Sequence, residues 1–299
     1  MSRRVVLAAG ELEAQVLPAA GGAIARFDRV AGLERRQLLR GTSNDDATAL
    51  DCGCFPLVPF CNRIRGGAFT FRGRTVRLSP NMPPDPSPLH GQGWQAEWMV
   101  VEVDPTHVEL RFRHQPGEWP WAYAARQVIR LDPGGLSVEL ACRNLSDEPM
   151  PCGLGLHPYY PCDGATVLET DVAGAWTVDA DVLPVQHVPA TGRYDLGHRA
   201  ICGQDLDNGF DGWSGVALIR RGDGLGLRLS SPDARFFQVY SPKEGGLFVA
   251  EPVQHANCAL NAPEAEWAGF GIEVLEPGEE RVLRARFAVI DQPPASPAI

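Results

Sequence analysis

Apolar and polar residues alternate with a period of two along much of this 299-residue chain. From His107 to Arg113, Val108, Leu110 and Phe112 fall on one face, while Glu109, Arg111 and Arg113 fall on the other. Leu136, Val138, Leu140 and Cys142 repeat the pattern, and Val282 to Val289 follows it over most of its length. Successive side chains of a strand point to opposite faces, so this rhythm predicts half-buried antiparallel strands. The breaks carry turn chemistry: DPGG at Asp132 to Gly135, RGDG at Arg221 to Gly224 and EPGE at Glu276 to Glu279. Glycine accepts positive φ and proline presets φ, which suits tight reversals. No segment has convincing 3.6-residue periodicity, so the helices that a parallel α/β sheet needs between its strands are missing. The expected fold is all-β, a large antiparallel β-sandwich built as one domain over residues 1–299. Its proline-rich end, QPPASPAI after about residue 291, is expected to fray.

Composition narrows the partners. The formal net charge is -10, whereas a binder of DNA or RNA backbone needs a basic face, so nucleic acid is not expected. No apolar stretch approaches the roughly 20 residues of a membrane-spanning helix. The start, MSRRVVLAAGELE, reaches an acid before a signal-peptide core could form. The eight cysteines do not form the framework of a small secreted domain and read as reduced thiols. These features point to a cytoplasmic protein without a membrane partner.

Five segments fit neither plain sheet nor plain turn. FPLVPFCNRIRGG (Phe55 to Gly67) carries Asn62 and Arg63 after an apolar, proline-punctuated run. SPLHGQGW (Ser87 to Trp94) places His90 beside two glycines and a tryptophan. GLGLHPYYP (Gly153 to Pro161) isolates His157 from any charged neighbour. DLDNGFDGW (Asp205 to Trp213) sets three acids around Gly209 and Phe210, and GGLFVAEPVQH (Gly245 to His255) ends an apolar run at Glu251. Taken singly, each has an ordinary structural explanation: a satisfied core histidine, an Asn-Gly turn, a strand-end carboxylate facing water. Arg65, Arg72, Arg74 and Arg77 alternate with apolar residues and read as a solvated strand face. Taken together, two histidines, a glutamate, an aspartate and an arginine form an acid–base set with groups that could orient a substrate. Trp94, Trp98, Trp119, Trp121 and Trp213 lie nearby in sequence and would suit stacking on a sugar ring. A zinc site from Cys52, Cys54, Cys152, Cys162 and His157 lacks the paired spacing such sites use.

In chain order, NRIRGGAF at Asn62 to Phe69, LHGQGW at Leu89 to Trp94, LHPYY at Leu156 to Tyr160, LDNGF at Leu206 to Phe210 and VAEP at Val249 to Pro252 resemble the aldose 1-epimerase (galactose mutarotase-like) family. That resemblance implies a large antiparallel β-sandwich and an isomerase that interconverts the α and β anomers of a free aldose. It also implies roles. His157 is the general acid that protonates the ring oxygen, and Glu251 is the general base that takes the proton of the anomeric hydroxyl. His90, Arg63 and Asp207 hold the sugar, with Asn62 beside Arg63 in the same loop. Gln92, Pro252 and the Pro-Tyr-Tyr-Pro run after His157 depart from the family pattern and bear on sugar preference.

The chemistry needs one proton removed from O1 and one delivered to the ring oxygen, with neither a metal nor a redox cofactor. A carboxylate with ordinary pKa near ~4.3 is a base at neutral pH, and an imidazole near ~6.5 can supply a proton if a neighbouring acid raises it. Two other readings stay open. One is a hexose-6-phosphate 1-epimerase that uses the arginines for phosphate. The other is a non-catalytic sugar-binding or sensing protein. A polysaccharide lyase or hydrolase on a similar sandwich would need an extended groove. The sugar itself and the oligomeric state are not determined by these features.

Overall fold

The computed structural model describes residues 4–291; the expected frayed tail therefore lies outside the described residues. The described chain forms strands joined by turns and single 3₁₀ turns such as Ala49–Asp51 and Gly93–Gln95, with no α-helix among the described residues. Most strands belong to an eleven-stranded and a nine-stranded sheet, paired antiparallel throughout. The predicted reversals fall where expected: DPGG joins Tyr123–Asp132 to Gly135–Asn144, RGDG joins Val216–Arg220 to Leu225–Ser230, and EPGE precedes Glu280–Asp291.

The site is positioned by five neighbouring strands of the larger sheet. In spatial order these are Cys54–Leu57, Gly155–Pro161, Leu247–Val253, Phe236–Ser241 and Leu206–Asp211. Their alternation sends one set of side chains into the main core and the other to the opposite face. Cys54, Leu156, Tyr160, Phe248, Ala250, Phe237, Val239, Leu206 and Phe210 join an apolar cluster that also holds Val138, Leu140 and Phe287 of the nine-stranded sheet. Burying each large apolar side chain is worth about 1.5–3 kcal/mol, so this face anchors the strands firmly. The opposite face carries Phe55, Tyr159, Val249 and Phe236 in a second, smaller cluster. These central strands are thus covered on both faces rather than half-buried, and the second face is where a cavity opens.

The tryptophans occupy a different role from the one expected. Trp94, Trp98, Trp119, Trp121 and Trp213 are each 5% exposed or less, and none lines the small cavity described below. Their large apolar surface fills the core instead, a larger gain than keeping an indole in water for stacking.

Candidate functional site

Register explains how residues nearly a hundred positions apart meet. Phe55 pairs with His157, and the pairs Gly155–Val253 and Tyr159–Val249 place His157 abreast of Glu251. Glu251 pairs with Gln238, which pairs with Gly209. One row therefore crosses the sheet as Phe55, His157, Glu251, Gln238. Two residues along, Asp207 pairs with Tyr240, so period-two alternation puts both on the same face as Gln238. His157 Nε2 lies 3.4 Å from Glu251 Oε1. The His157 ring stacks on Phe55 with centroids 4.5 Å apart, which holds its orientation.

Two loops close over this row. Asn62 and His90 both adopt left-handed backbone, φ 56° and φ 61°, an uncommon state for non-glycine residues and one that clusters at functional sites. They hold each other: the His90 N–H donates to Asn62 O at 3.0 Å, and the Asn62 N–H donates to His90 Nδ1 at 3.0 Å. An accepting Nδ1 leaves the proton on Nε2, so His90 is a neutral donor, and burial keeps its pKa well below the usual value. The next residue, Gly91, has φ 70°, and a Cβ there would sit 2.1 Å from Val58 O; only glycine lets the loop turn back this tightly. Arg63 Nε pairs with Asp85 Oδ2 at 2.8 Å and its Nη1 donates to Asn62 Oδ1 at 3.1 Å, so the guanidinium is clamped before any ligand arrives.

The result is a cavity of about 290 Å³ lined by all six candidates, Asn62, Arg63, His90, His157, Asp207 and Glu251. That is the small end of ligand cavities, sized for one small molecule rather than an extended polymer. Asp207 is the acid of its segment that reaches the cavity. Asp205 is exposed, and Asp211 pairs with His187 at 3.0 Å elsewhere. Seven further lining residues were not among the candidates: Leu50, Phe55, Met82, Leu89, Tyr159, Gln238 and Tyr240. Gln238 was detectable in principle, as a lone amide at the centre of the otherwise apolar FFQVY run. It donates to Asp207 Oδ1 at 2.7 Å.

Electrostatics at the row are dominated by burial. Burial raises the Glu251 carboxyl well above the usual range, with the nearby Asp207 adding to the rise. Burial drives His157 down to about 3, the opposite of the acid-assisted rise expected from sequence. The reason is that a dry site penalises imidazolium and carboxylate alike, and this outweighs their mutual attraction at 3.4 Å. Asp207 is pushed up to about 6 by burial, with Arg63 and the Gln238 amide opposing. His157 Nδ1 and Glu251 Oε2 are buried without a hydrogen-bond partner, and of the described residues with such an atom these two line the cavity.

Arginine placement bears on phosphate. Arg65, Arg72 and Arg74 lie at or beside the hairpin Ala68–Phe71/Arg74–Arg77, exposed, and face Asp179, Glu276 and Glu148 rather than the cavity. Among the described residues, Arg63 is the sole fixed cation lining the cavity, against Asp207 and Glu251. A larger groove of about 820 Å³ runs past Trp213, Asp233, Trp267 and Arg281. Its tryptophans are buried and Arg281 is spent on Glu273 and on Cys152 O, so it offers no comparable acid–base pair. No three His, Cys, Asp or Glu side chains converge as a metal site among the described residues. No helix among them is long and apolar enough to cross a membrane.

Comparison with known proteins agrees with this architecture. The aldose 1-epimerase family model matches residues 3–288. The uncharacterised protein YphB of Escherichia coli K12 is 32% identical over 272 residues, covering 87% of this chain and 89% of that protein. The crystal structure of a candidate aldose 1-epimerase from Escherichia coli K12 superimposes with a TM-score of 0.88 at 29% identity, covering 97% of this chain and 99% of that one. A galactose mutarotase-like protein from Clostridium acetobutylicum shares the fold with a TM-score of 0.84 at 18% identity, over 97% and 95% of the two chains. The chain belongs to the aldose 1-epimerase family.

Proposed function

We propose that this protein is an aldose 1-epimerase, an isomerase that interconverts the anomers of a free aldose by acid–base ring opening and closure. The observation that carries the reading is the His157–Glu251 pair, 3.4 Å apart, abreast on adjacent strands and lining one monosaccharide-sized cavity. Glu251 takes the O1 proton while His157 protonates the ring oxygen; the ring C–O bond breaks, C1 becomes a carbonyl and rotates, and the reverse transfers close the ring on the other face. His90 donates from Nε2, Asp207 and Gln238 receive and give hydroxyl hydrogen bonds, and Arg63 holds an oxygen.

Burial gives this cycle its driving asymmetry. The pair carries one reactive proton. With the ring closed and the chemistry poised, it is imidazolium plus carboxylate, which a dry site disfavours. With the ring open, the proton has passed to the sugar, Glu251 is a neutral acid and His157 a neutral base. The environment that lowers His157 and raises Glu251 therefore favours the ring-opened state. In the free protein the same forces put the shared proton on Glu251, and at 3.4 Å it can pass to His157 when the sugar's O1 hydroxyl donates to the carboxylate.

The substrate is read as an unphosphorylated sugar, because the cavity's one fixed cation is already bound to Asp85. The test is an NMR exchange screen of anomers with the purified protein, comparing free and 6-phosphorylated hexoses. Acceleration with free hexoses is expected. Acceleration with the phosphorylated sugars alone would move the assignment to a hexose-6-phosphate 1-epimerase, and binding without acceleration would move it to a sugar sensor.

A further inference from the structure

Along the strand row, Glu251 and Gln238 lie on one side of His157 and Phe55 on the other, with Asp207 two residues along from the Gln238 pair; Leu50, Met82 and His90 also line the cavity. The reaction fixes how a sugar must lie along this row. O1 sits at Glu251 and the ring oxygen at His157. C5 is bonded to the ring oxygen on the side away from C1, so C5 and its C6 arm run from His157 toward Phe55. The hydroxyls on C2 and C3 then meet the polar side.

A second cavity lies beyond Phe55. His157, Phe55 and Trp94 form a continuous ring stack, with centroids 4.5 Å and 5.5 Å apart. Trp94 belongs to the wall of a second cavity of about 420 Å³, larger than the first. The two cavities share Leu50 and Met82. The second is walled mainly by small and apolar residues, among them Ala47, Ala49 and Pro83, with Thr48, Asn81 and Gln95 as its polar groups. It has no charged side chain in its lining among the described residues.

Resting on the mutarotase reading above, we infer that this adjoining cavity is a subsite for an uncharged group carried on C6 of the substrate, so that reducing 1→6-linked disaccharides are substrates. The anomeric hydroxyl of such a sugar is free to reach Glu251 while its second ring passes Leu50 and Met82. The lining of this second cavity offers no charged side chain to an anionic C6 substituent.

The test compares glucose with a 1→6-linked glucose disaccharide, by anomer exchange in NMR, using the unaltered protein and Gln95→Trp. Gln95 is exposed, lines the second cavity and a neighbouring one of about 300 Å³, and is absent from the lining of the first. The unaltered protein should convert the disaccharide with kcat/KM within about tenfold of glucose, and Gln95→Trp should lower the disaccharide value by at least about tenfold. Glucose turnover should stay unchanged in the variant, which also reports that it has folded. Conversion of glucose without the disaccharide would overturn the subsite. So would a Gln95→Trp variant that loses both sugars alike, or neither. If neither sugar is converted by the unaltered protein, the mutarotase reading fails and the subsite's substrate falls with it.

Discussion

Two histidines lie toward the same end of one strand pair and have opposite surroundings. His157 stands mid-strand in Gly155–Pro161, and His255 follows the end of Leu247–Val253, the strand that holds Glu251. His255 is buried and His157 partly so, and desolvation lowers both, His157 to about 3 and His255 to about 4. His255, however, has both ring nitrogens in use. Its Nε2 accepts the Cys61 N–H at 2.8 Å, and Nδ1 donates to Ala256 O at 2.8 Å. Gly153 packs so closely that a Cβ there would lie 2.2 Å from the His255 ring. His157 Nδ1 has no partner, and its Nε2 shares a cavity with Glu251. A depressed pKa is common to both; a polar atom left unmet beside a cavity separates His157 from His255.

The largest effect should come from the cavity side of that contrast. His157→Asn and Glu251→Gln should each lower anomer interconversion by at least about a hundredfold with the melting transition kept, since a placed acid or base is worth about 10²–10⁴. His255→Gln should do the reverse: turnover of the folded protein near the unaltered value, and stability reduced by about 1–3 kcal/mol in urea melts through unmet buried groups. A His255 variant that folds normally yet loses turnover would erase the distinction.

Asp207 sharpens it on the acidic residues. Its pKa near 6, against an ordinary 3.8, means that the native state holds the proton more tightly than the unfolded chain. Stability from this group is full below about pH 4 and is lost as pH rises through about 6, by up to about 3 kcal/mol. Asp207→Asn should therefore stabilise the protein at pH 7 while weakening sugar binding, seen as a raised melting temperature with a raised KM. A smaller effect belongs to the unaltered protein: its KM should rise as pH falls through about 6, when Asp207 stops accepting hydroxyl protons. A KM flat from pH 7 to 5 would remove Asp207 from the sugar's contacts.

Much of the fold was legible from alternation and turn chemistry, because each depends on neighbours within a few residues. DPGG, RGDG and EPGE mark their reversals for that reason. The row across Phe55, His157, Glu251 and Gln238 was not legible, since register between strands a hundred residues apart is decided by packing of the whole sheet. Asn62, Arg63, His90, His157, Asp207 and Glu251 could be singled out because polar residues interrupt apolar or glycine-rich runs. Asp85 was not singled out, because its ion pair with Arg63 exists only in the folded chain. The tryptophans misled because an indole's burial depends on tertiary context. The charge state of His157 misled because sequence shows that a carboxylate exists, not how dry its surroundings are.

The most direct test is polarimetry of a freshly dissolved α-hexose with the unaltered protein and with a His157→Asn, Glu251→Gln double variant. The unaltered protein should speed the approach to equilibrium in proportion to its concentration, and the double variant should lose no more than the worse single variant, because the two groups act as a unit in one coupled pair of proton transfers. A double variant that still accelerates mutarotation like the unaltered protein would contradict the account.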